Sequence, residues 1–166
     1  MISSLSMALR YSLNEEAISD KIDLAIIAPD GKDAMIQHAT ECSNNSIPFI
    51  FDPGQGLPMF DRKELLLFIE QASFIAMNDY EAKLLQDKTN LTLDIIASKV
   101  KALIITKGSQ GSEIYADKNI FKIEATKTDN LVDPTGCGDA FRAGLIYGIT
   151  KGWDWNKTAR LGSVMG

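Results

Sequence analysis

The segment FIAMNDYEAKLLQDKTNLTLDIIASKVKALIIT, residues 74–106, has two short apolar runs separated by a stretch with helical periodicity. The runs 74–77 and 103–106 have the length and the continuous hydrophobicity of strands that are buried on both faces. The residues between them, 79–100, predict helix with an interruption near 88–90. A strand, a helix and a second strand in this order predict a βαβ unit with parallel strands.

The same alternation extends toward both ends of the chain. Apolar runs at 24–28 and 48–51 predict two more buried strands, and each is followed by a turn-rich segment. Helices are predicted between the strands by stripes of residues at helical spacing: Ala34, Met35, His38, Ala39 and Cys42, then Leu65, Phe68, Ile69 and Ala72.

After residue 108 the pattern changes. Residues 113–116 and 120–125 predict a short antiparallel hairpin, followed by a loop over 126–136, a helix over about 137–151 and a shorter helix from Trp155. Residues 1–20 give only weak signals. The predicted fold class is α/β: a single domain over 1–166 with a mostly parallel sheet and helices on both faces.

Composition excludes several classes of protein. The net charge is −5 and no basic stripe is present, which argues against a nucleic-acid partner. The two cysteines are not arranged as Cys-x-x-Cys, and the N-terminus has neither a signal-peptide pattern nor a membrane span. We therefore expect a cytoplasmic protein with no membrane partner.

The run Asp133-Pro134-Thr135-Gly136-Cys137-Gly138-Asp139-Ala140-Phe141 carries the strongest chemical signal. Its glycines lie where a loop enters a helix, and the free N–H groups of a helix's first turn bind anions. An aspartate at such a site is suited to take a proton from an attacking hydroxyl. The structural alternative is a glycine-rich turn with Asp139 as a first-turn acid favoured by the helix dipole.

Three other segments follow predicted strands. Thr106-Lys107-Gly108-Ser109-Gln110-Gly111 has glycines suited to a tight turn, and Asn78 with Glu81 has the spacing of a helix capping box. The third segment, 51–58, is a loop at the carboxyl end of a strand, which is where open α/β sheets bind ligands. Each of these also has a purely structural interpretation.

The nine-residue run closely resembles the C-terminal signature of ribokinase-like (phosphofructokinase-B type) sugar and nucleoside kinases, Asp-Thr-x-Gly-Ala-Gly-Asp-x-Phe. The resemblance implies that Asp139 is the catalytic base and that the N–H groups of Gly136, Cys137 and Gly138 form an anion hole. It also implies that Asp133 and Thr135 help to hold a monovalent cation such as K⁺. Pro134 and Cys137 depart from the family pattern, but the anion hole uses main chain.

The other segments resemble motifs of the same family in the same order. Residues 106–111 are similar to its Thr-x-Gly-x-x-Gly turn, so Thr106, Gly108 and Gly111 are expected to approach the nucleotide. Asn78 and Glu81 match Asn-x-x-Glu, which implies support for the phosphates and, through water, for Mg²⁺. Residues 51–58 are most similar to adenosine-kinase-like members.

The resemblance implies an ATP- and Mg²⁺-dependent phosphotransferase that acts on a primary hydroxyl of a nucleoside (adenosine-like) or a sugar. Family members are longer, and the part before residue 1 holds their β-sheet lid and most residues that grip the acceptor. We therefore expect the C-terminal, nucleotide-binding portion of a longer kinase, inactive alone, for which a homodimer is one open possibility.

Several alternatives remain or are weakened. The alternative from another class is a non-catalytic nucleotide-binding or assembly fragment. A dinucleotide-dependent oxidoreductase needs an N-terminal glycine fingerprint that is missing, and the P-loop motif is also missing. His38 is the only histidine, and its place on an apolar stripe favours packing over a zinc site or a Cys–His pair.

Overall fold

A computed structural model describes residues 22–126 and 136–166. Its six strands form one sheet in the order of the sequence. The first four are parallel and the last two antiparallel: β1 (Ala25–Ile27), β2 (Phe49–Phe51), β3 (Phe74–Asn78), β4 (Ala102–Thr106), β5 (Ser112–Ala116) and β6 (Asn119–Ile123). The predicted strands are confirmed, and β6 ends two residues before the predicted boundary at 125.

Six α-helices lie in the described residues: α1 (Lys32–Asn44), α2 (Arg62–Gln71), α3 (Asp79–Thr89), α4 (Leu93–Ala97), α5 (Cys137–Thr150) and α6 (Trp155–Met165). Short 3₁₀ turns cover Gly54–Met59 and Gly108–Gln110. The predicted interruption near 88–90 is confirmed, because α3 ends at Thr89, its C-cap residue Asn90 has the left-handed conformation, and Thr92 caps α4. None of the helices in the described ranges is long and apolar enough to cross a membrane.

The sheet is covered on both faces, as the continuous apolar runs predicted. Alternate strand residues point to opposite sides. One set packs with α1 to α4: Phe49, Phe51, Ile75, Met77, Leu103 and Ile105. The other set packs with α5 and α6: Ile50, Phe74, Ala76, Ala102 and Ile104. The α/β fold class is therefore confirmed.

The β5–β6 hairpin turns on two residues. Asp117 and Lys118 have φ values of 52° and 61°, which is the left-handed conformation at both central positions of a tight hairpin turn. The side-chain amide of Asn119 donates a hydrogen bond to the Asp117 carbonyl at 2.9 Å. The hairpin extends the parallel sheet by two antiparallel strands.

The small residues of α5 pack against α6. In the sequence, Ala140, Gly144 and Gly148 recur at i, i+4 and i+8, which predicts close packing of this helix on the sheet. That prediction is wrong for the two glycines. A Cβ added to Gly144 would lie 2.6 Å from the Gly162 Cα, and one added to Gly148 would lie 2.6 Å from the Thr158 Oγ1. The sheet is instead contacted by the larger side chains of α5, among them Phe141 and Leu145. Residues 1–20 and most of the predicted loop 126–136 lie outside the described residues.

Candidate active site

The carboxyl ends of the four parallel strands bring three of the predicted segments to one edge of the sheet. Asn78 and Thr106 are direct partners across β3 and β4, so the Asn-x-x-Glu segment and the glycine turn are neighbours. Asp52 follows β2, and its main-chain N–H donates to the Ile27 carbonyl at 2.9 Å. The fold thus places polar groups at the edge where open α/β sheets bind ligands.

Asn78 and Glu81 form the predicted capping box at the start of α3. The Asn78 Oδ1 accepts a hydrogen bond from the Glu81 N–H, and the Glu81 Oε2 accepts one from the Asn78 N–H, both at 2.8 Å. Glu81 is only 8% exposed. Its Oε1 has no hydrogen-bond partner among the described residues, so one carboxylate oxygen remains available as an acceptor.

The two glycines of the turn after β4 have different surroundings. Gly108 and Gly111 both have positive φ values, 54° and 87°. A Cβ on Gly111 would collide with the Ile123 carbonyl oxygen of β6, whereas one on Gly108 would meet no atom within 4 Å. Gly111 is therefore required for the close approach of two chain segments. Gly108 is exposed and leaves the main chain accessible to a ligand.

Thr106 is less distinctive. Its hydroxyl donates a long hydrogen bond of 3.5 Å to the Met77 carbonyl, and the residue is half-buried at the end of β4. The next residue, Lys107, forms an ion pair with Glu113 at 2.7 Å, which holds the turn against β5.

The N-terminus of α5 has the features of an anion site. Gly136 is the N-cap residue, has a φ of 84°, and has no side chain that could cap the helix. A Cβ at this position would meet nothing within 4 Å, so the space beside it is open. The first N–H groups of a helix have no intrahelical acceptors and carry the positive end of its dipole.

Asp139 lies in the first turn of α5, and its side chain is 90% exposed. Its carboxylate is therefore accessible from solvent beside the first N–H groups of the helix. Cys137 is a free, partly buried thiol at the start of the helix. His38 belongs to α1, which packs on the opposite face of the sheet from α5. Asp133 and Thr135 lie outside the described residues.

Gly138 differs from Gly136 in its backbone conformation. It lies within the regular helix and is not among the positive-φ residues. A Cβ added to it would lie 2.6 Å from the Arg142 Nη1. A larger residue at this position would therefore meet the guanidinium group of Arg142.

The sequence analysis did not identify Arg142 as a functional residue. Its Nε contacts the Asp52 Oδ2, and its Nη2 donates to the Asp52 Oδ1 at 2.8 Å. Its Nη1 lies 3.6 Å from the Asp139 Oδ1. The available signal was the spacing of an acid and an arginine three residues apart on one helix, but the pairing with Asp52 spans 90 residues.

Asp52 is 1% exposed, and this burial raises the pKa of its carboxyl to about 6. The charge and the hydrogen bonds of Arg142 act in the opposite direction, while Glu81 and Asp139 add negative charge around it. Three carboxylates and one guanidinium thus share this part of the sheet edge.

Comparisons with known proteins agree with the fold. A family profile described as pfkB family carbohydrate kinase matches residues 9–166. A nucleoside kinase from Methanocaldococcus jannaschii is 40% identical over 114 residues, which are 69% of this chain and 38% of that protein. A ribokinase from Lactococcus lactis is 32% identical over 124 residues, which are 74% of this chain and 39% of that protein.

Comparison with solved structures also finds nucleoside kinases. The nucleoside kinase of Burkholderia thailandensis in complex with inosine superposes with a TM-score of 0.89 at 48% identity, over 97% of this chain and 52% of that one. The Methanocaldococcus jannaschii nucleoside kinase superposes with a TM-score of 0.81 at 35% identity, over 85% of this chain and 47% of that one. This chain therefore spans about half the length of these structures, and it belongs to the pfkB family of carbohydrate kinases.

Proposed function

We propose that this chain is the nucleotide-binding, C-terminal portion of a longer kinase that transfers the γ-phosphoryl group of ATP to a primary hydroxyl of a nucleoside or a sugar. The observation that carries the proposal is the exposed carboxylate of Asp139 in the first turn of a helix whose N-terminus is open. A base and an anion site within one helical turn suit the deprotonation of a hydroxyl next to a phosphoryl group.

In the proposed reaction the acceptor oxygen forms a bond to the γ-phosphorus while the bond from that phosphorus to the β,γ-bridging oxygen breaks. The acceptor's proton passes to Asp139, and ADP leaves with the electron pair of the broken bond. The N–H groups of Gly136, Cys137 and Gly138 stabilise the charge that develops on the phosphoryl oxygens. Little covalent work falls to the protein, so its contribution is positioning and electrostatics.

The cofactor proposals rest on the polar groups at the sheet edge. The open main chain at Gly108 and the neighbouring Thr106 are suited to contact ATP, while Gly111 shapes the turn. The free oxygen of Glu81 suits a water-mediated contact to Mg²⁺, which prefers oxygen ligands and retains several waters. When bound, Mg²⁺ would neutralise charge on the phosphates. Asp133 and Thr135 remain the candidates for a monovalent cation such as K⁺.

For the acceptor we favour a nucleoside. The solved relative with 48% identity was determined with inosine, and another of its structures has ADP and inosine. The loop 51–58, similar to adenosine-kinase-like members, supports the same choice. Since the chain spans about half of its relatives, a non-catalytic fragment that only binds nucleotide remains the second candidate.

The test is Asp139→Asn in the complete kinase, assayed for ADP release with Mg²⁺-ATP and a panel of nucleosides and sugars. Loss of a general base lowers kcat by about 10²–10⁴-fold, and ATP binding should remain close to normal. The matched control is Asp154→Asn, at an exposed acid that caps α6 by accepting the Lys157 N–H at 2.9 Å. Asparagine is an equally good cap, so this variant should retain full activity. An Asp139→Asn enzyme that retains more than about a tenth of kcat would remove Asp139 from the mechanism.

A further inference from the structure

Arg142 uses two of its three guanidinium nitrogens to bind Asp52. Its Nε and Nη2 form a side-on pair with the two carboxylate oxygens of buried Asp52. Such a two-point contact fixes both the plane and the direction of a guanidinium group. Only Nη1 is left, and it lies against Gly138 and 3.6 Å from the Asp139 Oδ1.

Within the described part of the chain, Asp139 has no comparable support. Its side chain is 90% exposed, and its contact with Arg142 is its only side-chain interaction among the described residues. An exposed carboxylate without a partner samples several rotamers, which lowers the fraction of time that its oxygen faces the acceptor hydroxyl. The cation beside it is anchored to the end of β2 and therefore to the sheet.

We propose that Arg142, held by Asp52, is a positioning residue that orients the carboxylate of Asp139 toward the acceptor hydroxyl. This inference rests on the proposed function, because it assigns Arg142 to the same reaction. The side chain of Arg142 is 22% exposed, and the carboxylate of Asp52 that anchors it is buried. The pair thus lies beneath the site while the base extends into it.

The charged groups around Arg142 are consistent with this positioning role. Asp52 comes from the end of β2, Glu81 from α3 and Asp139 from α5, and the charges of Glu81 and Asp139 both act on Asp52. Arg142 lies between Asp52 and Asp139 and counters their repulsion. Because Asp52 occupies two of its nitrogens, the guanidinium cannot turn toward the nucleotide without breaking a buried ion pair, which is costly.

The experiment is a double-mutant cycle in the complete kinase. Arg142→Lys keeps the charge but cannot form the side-on pair, and it is combined with Asp139→Asn. Misplacement of a catalytic group costs up to about 10²-fold in rate, so we expect Arg142→Lys to lower kcat by about 10-fold or more. The KM values for ATP and the acceptor should change by less than about 3-fold, since uniform binding is unaffected. In the Asp139→Asn background the same change should have no further effect, because Arg142 acts through Asp139.

Two further variants separate positioning from folding. In Asp52→Leu/Arg142→Met both members of the ion pair are removed together, so neither leaves a buried partner unpaired; the fold should be retained while kcat falls by up to about 10²-fold. Arg62→Lys is the matched control, since Arg62 donates to the Thr89 carbonyl from α2 on the other face of the sheet. Its kcat should be unchanged.

The outcomes distinguish the two proposals. An active Asp139→Asn enzyme overturns the role of Asp139 and this inference with it. An inactive Asp139→Asn enzyme with normal kcat in both Arg142 variants overturns the inference alone. The inference is also wrong if Arg142→Lys lowers kcat by the same factor with and without Asp139. A KM for ATP that rises at constant kcat would assign Arg142 to nucleotide binding instead.

Discussion

The replacement of Asp52 by asparagine should change how the stability of the protein depends on pH. Two effects act on this carboxyl in opposite directions. Burial disfavours its charged form, while the ion pair with Arg142 favours it. The effect of burial is the larger, so the pKa of the carboxyl is raised to about 6. The variant Asp52→Asn removes the titrating group and keeps its size.

The sign follows from the protons bound by each state. In the unfolded chain an aspartate has a pKa of about 3.9, so between about pH 4 and pH 6 the folded protein holds a proton that the unfolded chain has released. The contribution of Asp52 to stability is therefore complete below about pH 4 and is lost as the pH rises through about 6. At about 1.4 kcal/mol for each pH unit, the loss amounts to about 3 kcal/mol.

The assay is urea unfolding of the parent and of Asp52→Asn at about pH 4, 5, 6 and 7.5, with the free energy of unfolding extrapolated to water. Other carboxyls titrate in both proteins. Glu113, for example, has a pKa lowered by its hydrogen bond to Lys107, and its contribution cancels in the difference. The parent's advantage over the variant should shrink by about 3 kcal/mol between pH 4 and pH 7.5. A difference that is constant, or that grows with pH, would show that the pair with Arg142 outweighs burial.

Three further predictions concern α5 and the chain as a whole. Gly138→Val should lower kcat by displacing the guanidinium of Arg142, because its Cβ would lie 2.6 Å from Nη1; it should also weaken ATP binding, because the added side chain would crowd a phosphate at the proposed anion hole, and an unchanged affinity in an ATP titration would reduce the motif to a turn. Gly144→Val should destabilise the protein by at least about 1–3 kcal/mol in urea unfolding, since its Cβ would lie 2.6 Å from the Gly162 Cα and backbone cannot yield as a side chain does. The 166-residue chain alone should bind adenine nucleotide weakly and release no ADP in a coupled assay with nucleosides or sugars; robust turnover that depends on Asp139 would contradict this.

Most of the fold could be predicted because its signals are local. The strands are short apolar runs buried on both faces, and the helices between them carry their own periodicity and caps. The prediction that failed was which element packs against the small-residue face of α5. The spacing of Gly144 and Gly148 shows that one face of α5 is small, but a small face permits close approach to any partner. Here the partner is α6, which allows the two helices to approach at Gly162.

One part of the candidate site was predictable for the same reason. Asn78 and Glu81 are three residues apart, so their reciprocal hydrogen bonds follow from the sequence. The roles of individual glycines were not predictable. Gly111 is required by contact with β6, Gly136 has an unusual backbone conformation in open space, and Gly138 accommodates a side chain from the next turn. The residue is glycine in each case, and only its surroundings in the fold show why glycine is there.

The pairing of Asp52 with Arg142 illustrates what remains beyond sequence patterns. Each residue alone has a simple structural interpretation: Asp52 is an acidic residue after a strand, and Arg142 is a basic residue on a helix. A carboxylate that is 1% exposed must have a partner, but the sequence gives neither its burial nor the residue 90 positions away that supplies the charge. Both depend on the tertiary fold, which places the end of β2 next to the first turns of α5. The orientation of the proposed base therefore depends on the sheet as much as on the glycine motif next to it.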